Sequence, residues 1–133
     1  PSTTRSHLSQ AQLQCAMDDF AYLFYTAKNV TAAFDKYVAT NYVQHNPNIA
    51  DGRAAAIAAL EPLFSSPTTS FDIARVMVGP EYTVIHIKAI TTGQPNYNVY
   101  DVYRTEGSCI VEHWDVMAAA TVDNTTVSPH PYF

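Results

Sequence analysis

Two neighbouring segments late in the chain concentrate side chains that can move protons. The first, Val-Tyr-Asp-Val-Tyr-Arg, holds Asp101, and the second, Ile-Val-Glu-His-Trp-Asp, holds Glu112, His113, Trp114 and Asp115. The Val, Ile and Tyr residues predict that both segments are strands, joined by a Glu-Gly turn. Polar groups on such strands are costly to bury unless they are paired or functional. The hairpin is therefore predicted to carry either an acid–base site or a set of structural ion pairs.

Three further candidates lie upstream of this hairpin. His45 and Asp51 fall in a segment with Asn and Pro, which predicts a loop, and Asp51 is placed to cap the helix that follows. His86 alternates in phase with Val84 and Lys88 in a predicted strand, which fits a hydrogen-bonded core histidine as well as a pocket histidine. The chain has no His-x-His or Glu-x-x-His spacing, so we predict no metal site.

The register of the hairpin decides which of its groups meet. If it closes through a two-residue Glu-Gly turn, Asp101 pairs with Glu112 and shares its face with Trp114. His113 and Asp115 then lie on the opposite face, where a structural or interfacial role is expected. A β-bulge would invert this arrangement for one strand. The structural alternative for Asp101 is a salt bridge to one of three basic residues, Arg75, Lys88 or Arg104.

The composition is typical of a folded globule without affinity for polyanions. Of the 133 residues, 47% are hydrophobic and 14% are charged, and the net charge is −5. Because no basic run is present, we expect no nucleic-acid or membrane partner. No apolar stretch reaches the roughly 18 residues that a spanning helix needs. We expect one domain over residues 1–133, with a core at about 10–118 and an irregular tail at 119–133.

Cysteine usage and short motifs bear on the compartment. Cys15 and Cys109 fit no metal or redox spacing, and their apolar neighbours favour buried free thiols over a disulfide. The first residues lack a charged segment followed by an apolar one, which favours a cytoplasmic location over secretion. Asn29 and Asn124 match the glycosylation acceptor pattern, a short motif that arises often by chance.

The first half of the chain predicts helices. Ser-Gln-Ala-Gln at 9–12 has the form of a capping box. Apolar residues then recur at helical spacing as far as about residue 28. They are Leu13, Met17, Phe20 and Phe24. A second helix is predicted near 31–38, capped by Asn29 or Thr31. A third follows the Asp-Gly pair, and Pro62 is expected to kink or end it.

The second half of the chain predicts strands. β-Branched and aromatic residues dominate, and Gly and Pro interrupt them. The predicted strands are 71–78, 82–89, 98–105 and 108–117. Short connections favour antiparallel neighbours. Helices followed by a strand meander predict an α+β fold, with the helices packed on one face of a curved sheet.

The sequence resembles the SnoaL-like polyketide cyclases, a branch of the proteins that share the nuclear transport factor 2 (NTF2) fold. The resemblance covers about 10–118 and rests on Tyr-Val-Gln-His-Asn-Pro at 42–47, Asp-Gly at 51–52 and the two hairpin motifs. It implies a cone-shaped α+β barrel, in which a strongly curved, mostly antiparallel sheet wraps the N-terminal helix and encloses an apolar pocket. It also implies a homodimer that pairs through the outer sheet face.

The resemblance further implies an activity. Cyclases of this family close a ring by intramolecular aldol condensation on a hydrophobic or aromatic small molecule, without metal or cofactor. By type and spacing, Asp101 matches the family's acid–base aspartate, and His86 matches the histidine on the preceding strand. The expected pocket residues are His45, Trp114, Glu112, Tyr103, Phe20 and Phe24.

Two classes of function fit these observations. One is an enzyme, either a cyclase or an isomerase, dehydratase or epoxide hydrolase that uses the same pocket. The other is a noncatalytic protein that holds a hydrophobic ligand or a partner. An enzyme predicts Asp101 and His86 within hydrogen-bond reach of a common point in an open cavity. A binding protein predicts an apolar cavity with Asp101 tied up in a salt bridge.

Overall fold

In the part of the chain that the structure describes, three helices pack against one sheet. The computed structural model describes residues 8–122 and 125–133. The helices are α1 (Gln10–Ala21), which a π-helical turn (Tyr22–Thr26) continues, α2 (Val30–Tyr37) and α3 (Arg53–Ser65). The strands are β1 (Val38–Gln44), β2 (Thr69–Val78), β3 (Tyr82–Thr91), β4 (Tyr97–Glu106) and β5 (Cys109–Ala119). The α+β fold expected from the sequence is confirmed.

The predicted caps of the first two helices are confirmed. The Ser9 hydroxyl accepts from the Gln12 N–H at 3.1 Å, and the Gln12 side chain accepts from the Ser9 N–H at 2.8 Å. Asn29 Oδ1 accepts from the Ala32 N–H at 3.1 Å and so caps α2. Each cap satisfies an amide that the helix itself leaves free.

The predicted cap of the third helix is wrong. Gly52, with a φ of 98° that suits glycine, stands at the cap position without a side-chain hydrogen bond. Asp51 instead accepts from the Gln44 N–H at 2.8 Å, so its carboxylate fastens the loop to the end of β1. Pro62 lies inside α3, which continues to Ser65 before it ends.

The sheet has five strands in the order β1-β5-β4-β3-β2. Strands β2 to β5 form an antiparallel meander, as the short connections predict, and β1 pairs in parallel with β5. β1 was not predicted from the sequence, which indicated helix and loop in this region. Buried and exposed residues alternate over only a few positions of β1, where Val38, Tyr42 and Gln44 are buried. The strand also forms only by pairing with β5, which is distant in sequence.

A β-bulge sits in β5 close to the hairpin turn. Thr105 pairs with Ile110, but Arg104 pairs with Glu112, so Val111 is an extra residue on β5. A bulge of this kind shifts the pairing by one residue and moves every later side chain to the other face.

The bulge reverses the predicted arrangement of the hairpin. The hairpin turns at Gly107 and Ser108 rather than at the predicted Glu-Gly pair, which moves the pairing by two residues, and the bulge moves it by one more. Asp101 therefore pairs with Asp115, and the predicted pairing of Asp101 with Glu112 is wrong. The side chains on the face of Asp101 are therefore those of His113 and Asp115, whereas Glu112 and Trp114 point to the opposite face. The face that Asp101 shares is the one that packs against the helices, here called the inner face.

An aromatic core joins the helices to the inner face of the sheet. The Phe20 ring is fully buried and packs against Phe24 at 5.3 Å and Tyr103 at 5.2 Å between ring centroids. Phe24 also stacks on Phe64 of α3 at 4.5 Å. Edge-on and offset ring contacts at these distances stabilise a core beyond the area that they bury.

Other expectations concern the thiols and the membrane. Cys15 and Cys109 are both free thiols; Cys109 is buried as expected, but Cys15 is exposed.

Within residues 8–122 and 125–133, no helix is long and apolar enough to cross a membrane. Asn124, one of the two glycosylation-type matches, lies outside the described residues.

Candidate functional site

An apolar cavity of about 210 Å³ lies between the helices and the inner face of the sheet. Phe24, Phe64 and Phe71 supply flat walls. Leu63 and Met117 also line the cavity, although each is about half exposed, at 54% and 55%, so they mark its mouth. This combination of apolar walls and an opening to solvent is typical of a small-molecule site.

Two titratable side chains meet in the wall of this cavity. Asp101 on β4 and His113 on β5 are 8% and 6% exposed, and His113 Nε2 lies 2.8 Å from Asp101 Oδ1. The bulge brings them together, because without it His113 would lie on the outer face. Both line the cavity, so a ligand inside it would contact an acid–base pair.

The hydrogen bonds of Gln44 determine the protonation of this pair. Gln44 Oε1 accepts from the Asn46 N–H at 3.0 Å and lies 2.7 Å from His113 Nδ1. Because an amide oxygen only accepts, Nδ1 must carry a proton. The contact between Nε2 and Asp101 then needs one further proton, which belongs either to an imidazolium or to a neutral carboxylic acid. Asp101 and His113 therefore share one transferable proton.

Two buried tyrosines support Asp101 from the other side. The Tyr25 hydroxyl donates to Asp101 Oδ2 at 2.5 Å and lies 2.7 Å from the Tyr103 hydroxyl. Since the Tyr25 proton is used on Asp101, Tyr103 donates to Tyr25. Burial raises the pKa of both phenols well above the usual value, and the charge of Asp101 adds to this. Tyr25 thus remains a donor that holds the carboxylate in place, and Tyr103 remains a donor that holds the Tyr25 hydroxyl.

Asp115 adds a second carboxylate at the same end of the cavity. Asn46 Nδ2 donates to Asp115 Oδ2 at 2.7 Å, and that oxygen lies 3.8 Å from His113 Nε2. Ligand atoms of Asp101, His113 and Asp115 all lie within 4.8 Å of one another, close enough for one cation to reach all three. A metal on Nε2 would displace the shared proton.

Tyr42 completes the polar end of the cavity. Its side chain is 4% exposed, lines the cavity and accepts a hydrogen bond from Gln44 Nε2 at 2.8 Å. Burial raises the pKa of Tyr42, and the charges of Asp101 and Asp115 raise it further, so the phenol stays protonated.

The structure does not bring His86 to Asp101, and the prediction that the two share a cavity is wrong. His86 pairs with Tyr100, one residue out of phase with Asp101, so it lies on the outer face. It is fully buried there, between Arg75 and Asn98, and its ring stacks on Tyr100 at 4.1 Å. Its surroundings are those of a structural histidine. The ring of Phe133 covers it from the C-terminal tail, at 5.3 Å.

Three expected pocket residues also lie on the outer face. His45 stacks on Trp114 at 4.7 Å, and its Nε2 lies 2.7 Å from Glu112 Oε1. Arg104 Nε donates to the other carboxylate oxygen of Glu112 at 2.7 Å. The prediction that His45, Glu112 and Trp114 line the pocket is wrong, because the bulge and the alternation of β1 turn them outwards.

The remaining predicted pocket residues are partly confirmed. Asp101, Tyr103 and Phe24 line the cavity as expected, whereas Phe20 lies in the core behind it. Sequence reasoning named His113 and Asp115 but assigned them to the wrong face, and it missed four other polar residues of the site, which are Tyr25, Tyr42, Gln44 and Asn46. A strand-like alternation at 42, 44 and 46, within the quoted Tyr-Val-Gln-His-Asn motif, could have revealed three of them.

The fold, with helices packed on a five-stranded mixed sheet, is that of solved NTF2-like proteins. An NTF2-like protein of unknown function from Mesorhizobium loti superposes with a TM-score of 0.71 at 18% identity, covering 84% of this chain and 96% of the other. TsrD from Streptomyces laurentii gives 0.65 at 18%, covering 84% and 91%. A proposed polyketide cyclase from Acidithiobacillus ferrooxidans gives 0.64 at 19%, covering 83% and 91%. At such identities the likeness shows the fold.

The sequence itself gives the family. The SnoaL-like domain matches residues 20–113, more than half of the chain, and the match includes Asp101 and His113. The protein therefore belongs to the SnoaL-like domain family, as the motifs indicated. A comparison with curated proteins found no match.

Proposed function

We propose that this protein is an acid–base enzyme that closes a ring by intramolecular aldol condensation on a compact, polyketide-like carbonyl compound. The observation that carries the proposal is the proton shared by Asp101 and His113 in the wall of an apolar cavity. The similarity to a proposed polyketide cyclase supports the reaction class. Positioned acid–base groups typically contribute about 10²- to 10⁴-fold to a rate.

The reaction needs one base and one returnable proton. In the resting state His113 is the imidazolium and Asp101 the carboxylate, which removes a proton from the carbon next to the substrate carbonyl. That C–H bond breaks, an O–H bond forms on Asp101, and the carbonyl becomes an enolate. The enolate carbon attacks a second carbonyl of the same molecule, and the resulting alkoxide takes the proton back from Asp101.

The neighbouring residues suit this sequence of steps. The imidazolium of His113, whose ring Gln44 holds in place, offsets the negative charge that develops nearby. Tyr25 holds the carboxylate of Asp101 in one orientation. No step requires a group from outside the chain.

The cavity size limits the substrate. A volume of about 210 Å³ is smaller than the roughly 300–1,000 Å³ of pockets for drug-sized ligands. The aromatic walls favour planar molecules. We therefore expect a substrate portion of one or two fused rings inside the cavity.

A noncatalytic binding protein is the second candidate. Both oxygens of Asp101 receive hydrogen bonds, one of them in an ion-pair contact with His113, which is the arrangement expected of a binder.

An experiment with a bicyclic ketone, 2-tetralone, distinguishes an enzyme from a binding protein. The protein is incubated with 2-tetralone in D₂O, and deuterium at the carbons next to the carbonyl is followed by NMR.

An enzyme accelerates deuterium incorporation above the rate without protein, because removing that proton is the first step proposed. Binding of 2-tetralone without any acceleration would support the noncatalytic candidate and contradict the proposed function. Binding is measured separately, by the change in ligand NMR signals on titration with protein.

A further inference from the structure

Tyr42 has a hydroxyl proton that the described part of the chain does not use. Its oxygen accepts from Gln44 Nε2 at 2.8 Å. The direction of this bond is fixed, because Gln44 Oε1 already receives the Asn46 N–H and the His113 Nδ1–H. Tyr42 must therefore donate its own proton elsewhere, and no described residue accepts it.

The position of this proton points to a ligand. Tyr42 is 4% exposed and lines the cavity beside the acid–base pair. A buried hydroxyl hydrogen without an acceptor costs free energy comparable to a lost hydrogen bond. An oxygen acceptor on a bound molecule would recover that free energy.

We propose that Tyr42 is a catalytic residue that donates a hydrogen bond to the substrate's carbonyl oxygen, and that the site selects compact cyclic ketones over hydrocarbons of the same shape. The catalytic role of Tyr42 rests on the proposed function, whereas the selection of a ketone does not. As Asp101 removes the neighbouring proton, the carbonyl oxygen gains negative charge and the bond from Tyr42 strengthens. Such a donor lowers the barrier because it acts more strongly on the enolate than on the ketone.

The test compares two ligands that differ in one acceptor. 2-Tetralone and tetralin have the same bicyclic frame, and only the ketone can accept a hydrogen bond. Titration of the wild-type protein gives two dissociation constants, and their ratio measures ketone selection. In Tyr42→Phe we expect this ratio to fall about tenfold, through weaker ketone binding with unchanged tetralin binding.

Tyr37→Phe is the matched control. Tyr37 is also a buried tyrosine with a side-chain partner, Asp19, but it does not line the cavity. We expect Tyr37→Phe to leave the ratio at the wild-type value. An unchanged ratio in Tyr42→Phe, or equal weakening of both ligands, would overturn the proposal, since equal weakening indicates a purely structural role.

Two further readouts keep the inference separate from the proposed function. If deuterium exchange is absent in the wild type but Tyr42→Phe still lowers the ratio, ketone recognition stands and catalysis fails. If exchange occurs, Tyr42→Phe should reduce kcat more than it changes KM.

If Tyr42→Phe does not fold, 3-fluorotyrosine is placed at position 42 instead. Its hydroxyl is a stronger hydrogen-bond donor, so the preference for 2-tetralone over tetralin should rise. A preference that does not rise would overturn the proposal.

Discussion

The Asp101 carboxylate is held by two different kinds of donor, and the difference matters for chemistry. Tyr25 has a raised pKa and gives a hydrogen bond that persists over the working pH range. His113 gives a proton that it can exchange with Asp101. One contact therefore orients the carboxylate, and the other makes it part of a proton-transfer pair.

Removing the hydroxyl of Tyr25 should destabilise the fold. In Tyr25→Phe, Asp101 loses a donor and Tyr103 loses its acceptor, both in a buried environment. We expect the free energy of unfolding to fall by about 1–3 kcal/mol, measured by urea denaturation. Tyr22→Phe, at an exposed position in the same π-helical turn, is the control and should change it by less than about 0.5 kcal/mol. Equal effects of the two changes would contradict the assigned hydrogen bonds.

At the residue scale the sequence identified Asp101 but not its partner. An acid among Val and Tyr residues is conspicuous, and the family motif contains it. His113 was assigned to the wrong face because its position depends on Val111, an extra residue that the alternation of apolar residues does not reveal. A single inserted residue thus hid the true partner of Asp101, whereas His86 is excluded by the regular pairing of β3 with β4, which places it opposite Tyr100 on the outer face.

At the scale of elements, ion pairs between side chains on the outer face stabilise the end of the β4–β5 hairpin. Glu112 accepts from Arg104 and contacts His45, and Arg104 also donates to Glu106 at 3.3 Å. Arg104 first, and then His45, lower the pKa of Glu112 below its usual value. This cluster is structural, since it lies on the face opposite the cavity.

The stabilising effect of Glu112 should depend on pH in a defined direction. Because its pKa is lowered by folding, its contribution is complete above the usual glutamate pKa and is lost as the pH falls through the lowered value. We expect Glu112→Gln to cost on the order of 1 kcal/mol near pH 7 and almost nothing once the pH lies well below the lowered pKa of Glu112. Urea denaturation at several pH values measures this, with the exposed Glu81→Gln as control. A difference that grows in acid would contradict the ion pairs.

Local chemistry made some elements predictable and left others hidden. The capping box at Ser9, the Asn29 cap and the four meander strands follow from residues close in sequence. β1 does not, because its pairing with β5 joins residues about seventy positions apart and leaves no periodic pattern beyond a few residues. The parts that failed are those decided by tertiary contacts.

At the scale of the whole molecule, the cavity has its opening between α3 and the end of β5. Leu63 is half exposed at this mouth, so a larger side chain there should obstruct entry with little effect on the core. We expect Leu63→Trp to weaken 2-tetralone binding at least tenfold and to abolish the rise in Tm that the ligand causes. Met77→Trp, at a similarly exposed position outside the cavity, should bind like the wild type. Undiminished binding in Leu63→Trp would place the entrance elsewhere.

The outer face of the sheet, unlike the inner face, is only partly covered by other parts of the chain. The ring of Phe133 lies over His86, and Lys88 Nζ lies 5.7 Å from the same ring, so the end of the tail covers part of this face. Val116 and Tyr82 on the same face are exposed, at 68% and 48%. Pairing of two copies through this face, which the family resemblance implies, stays a prediction.

The most direct test of the central claim is deuterium exchange into 2-tetralone by Asp101→Asn. An amide keeps the size of the side chain but cannot take up the substrate proton, so exchange above background should fall about 10²- to 10⁴-fold while the ketone still binds. Asp72→Asn, at an exposed position on β2, should exchange like the wild type. Full exchange activity in a folded Asp101→Asn protein would show that Asp101 is not the base.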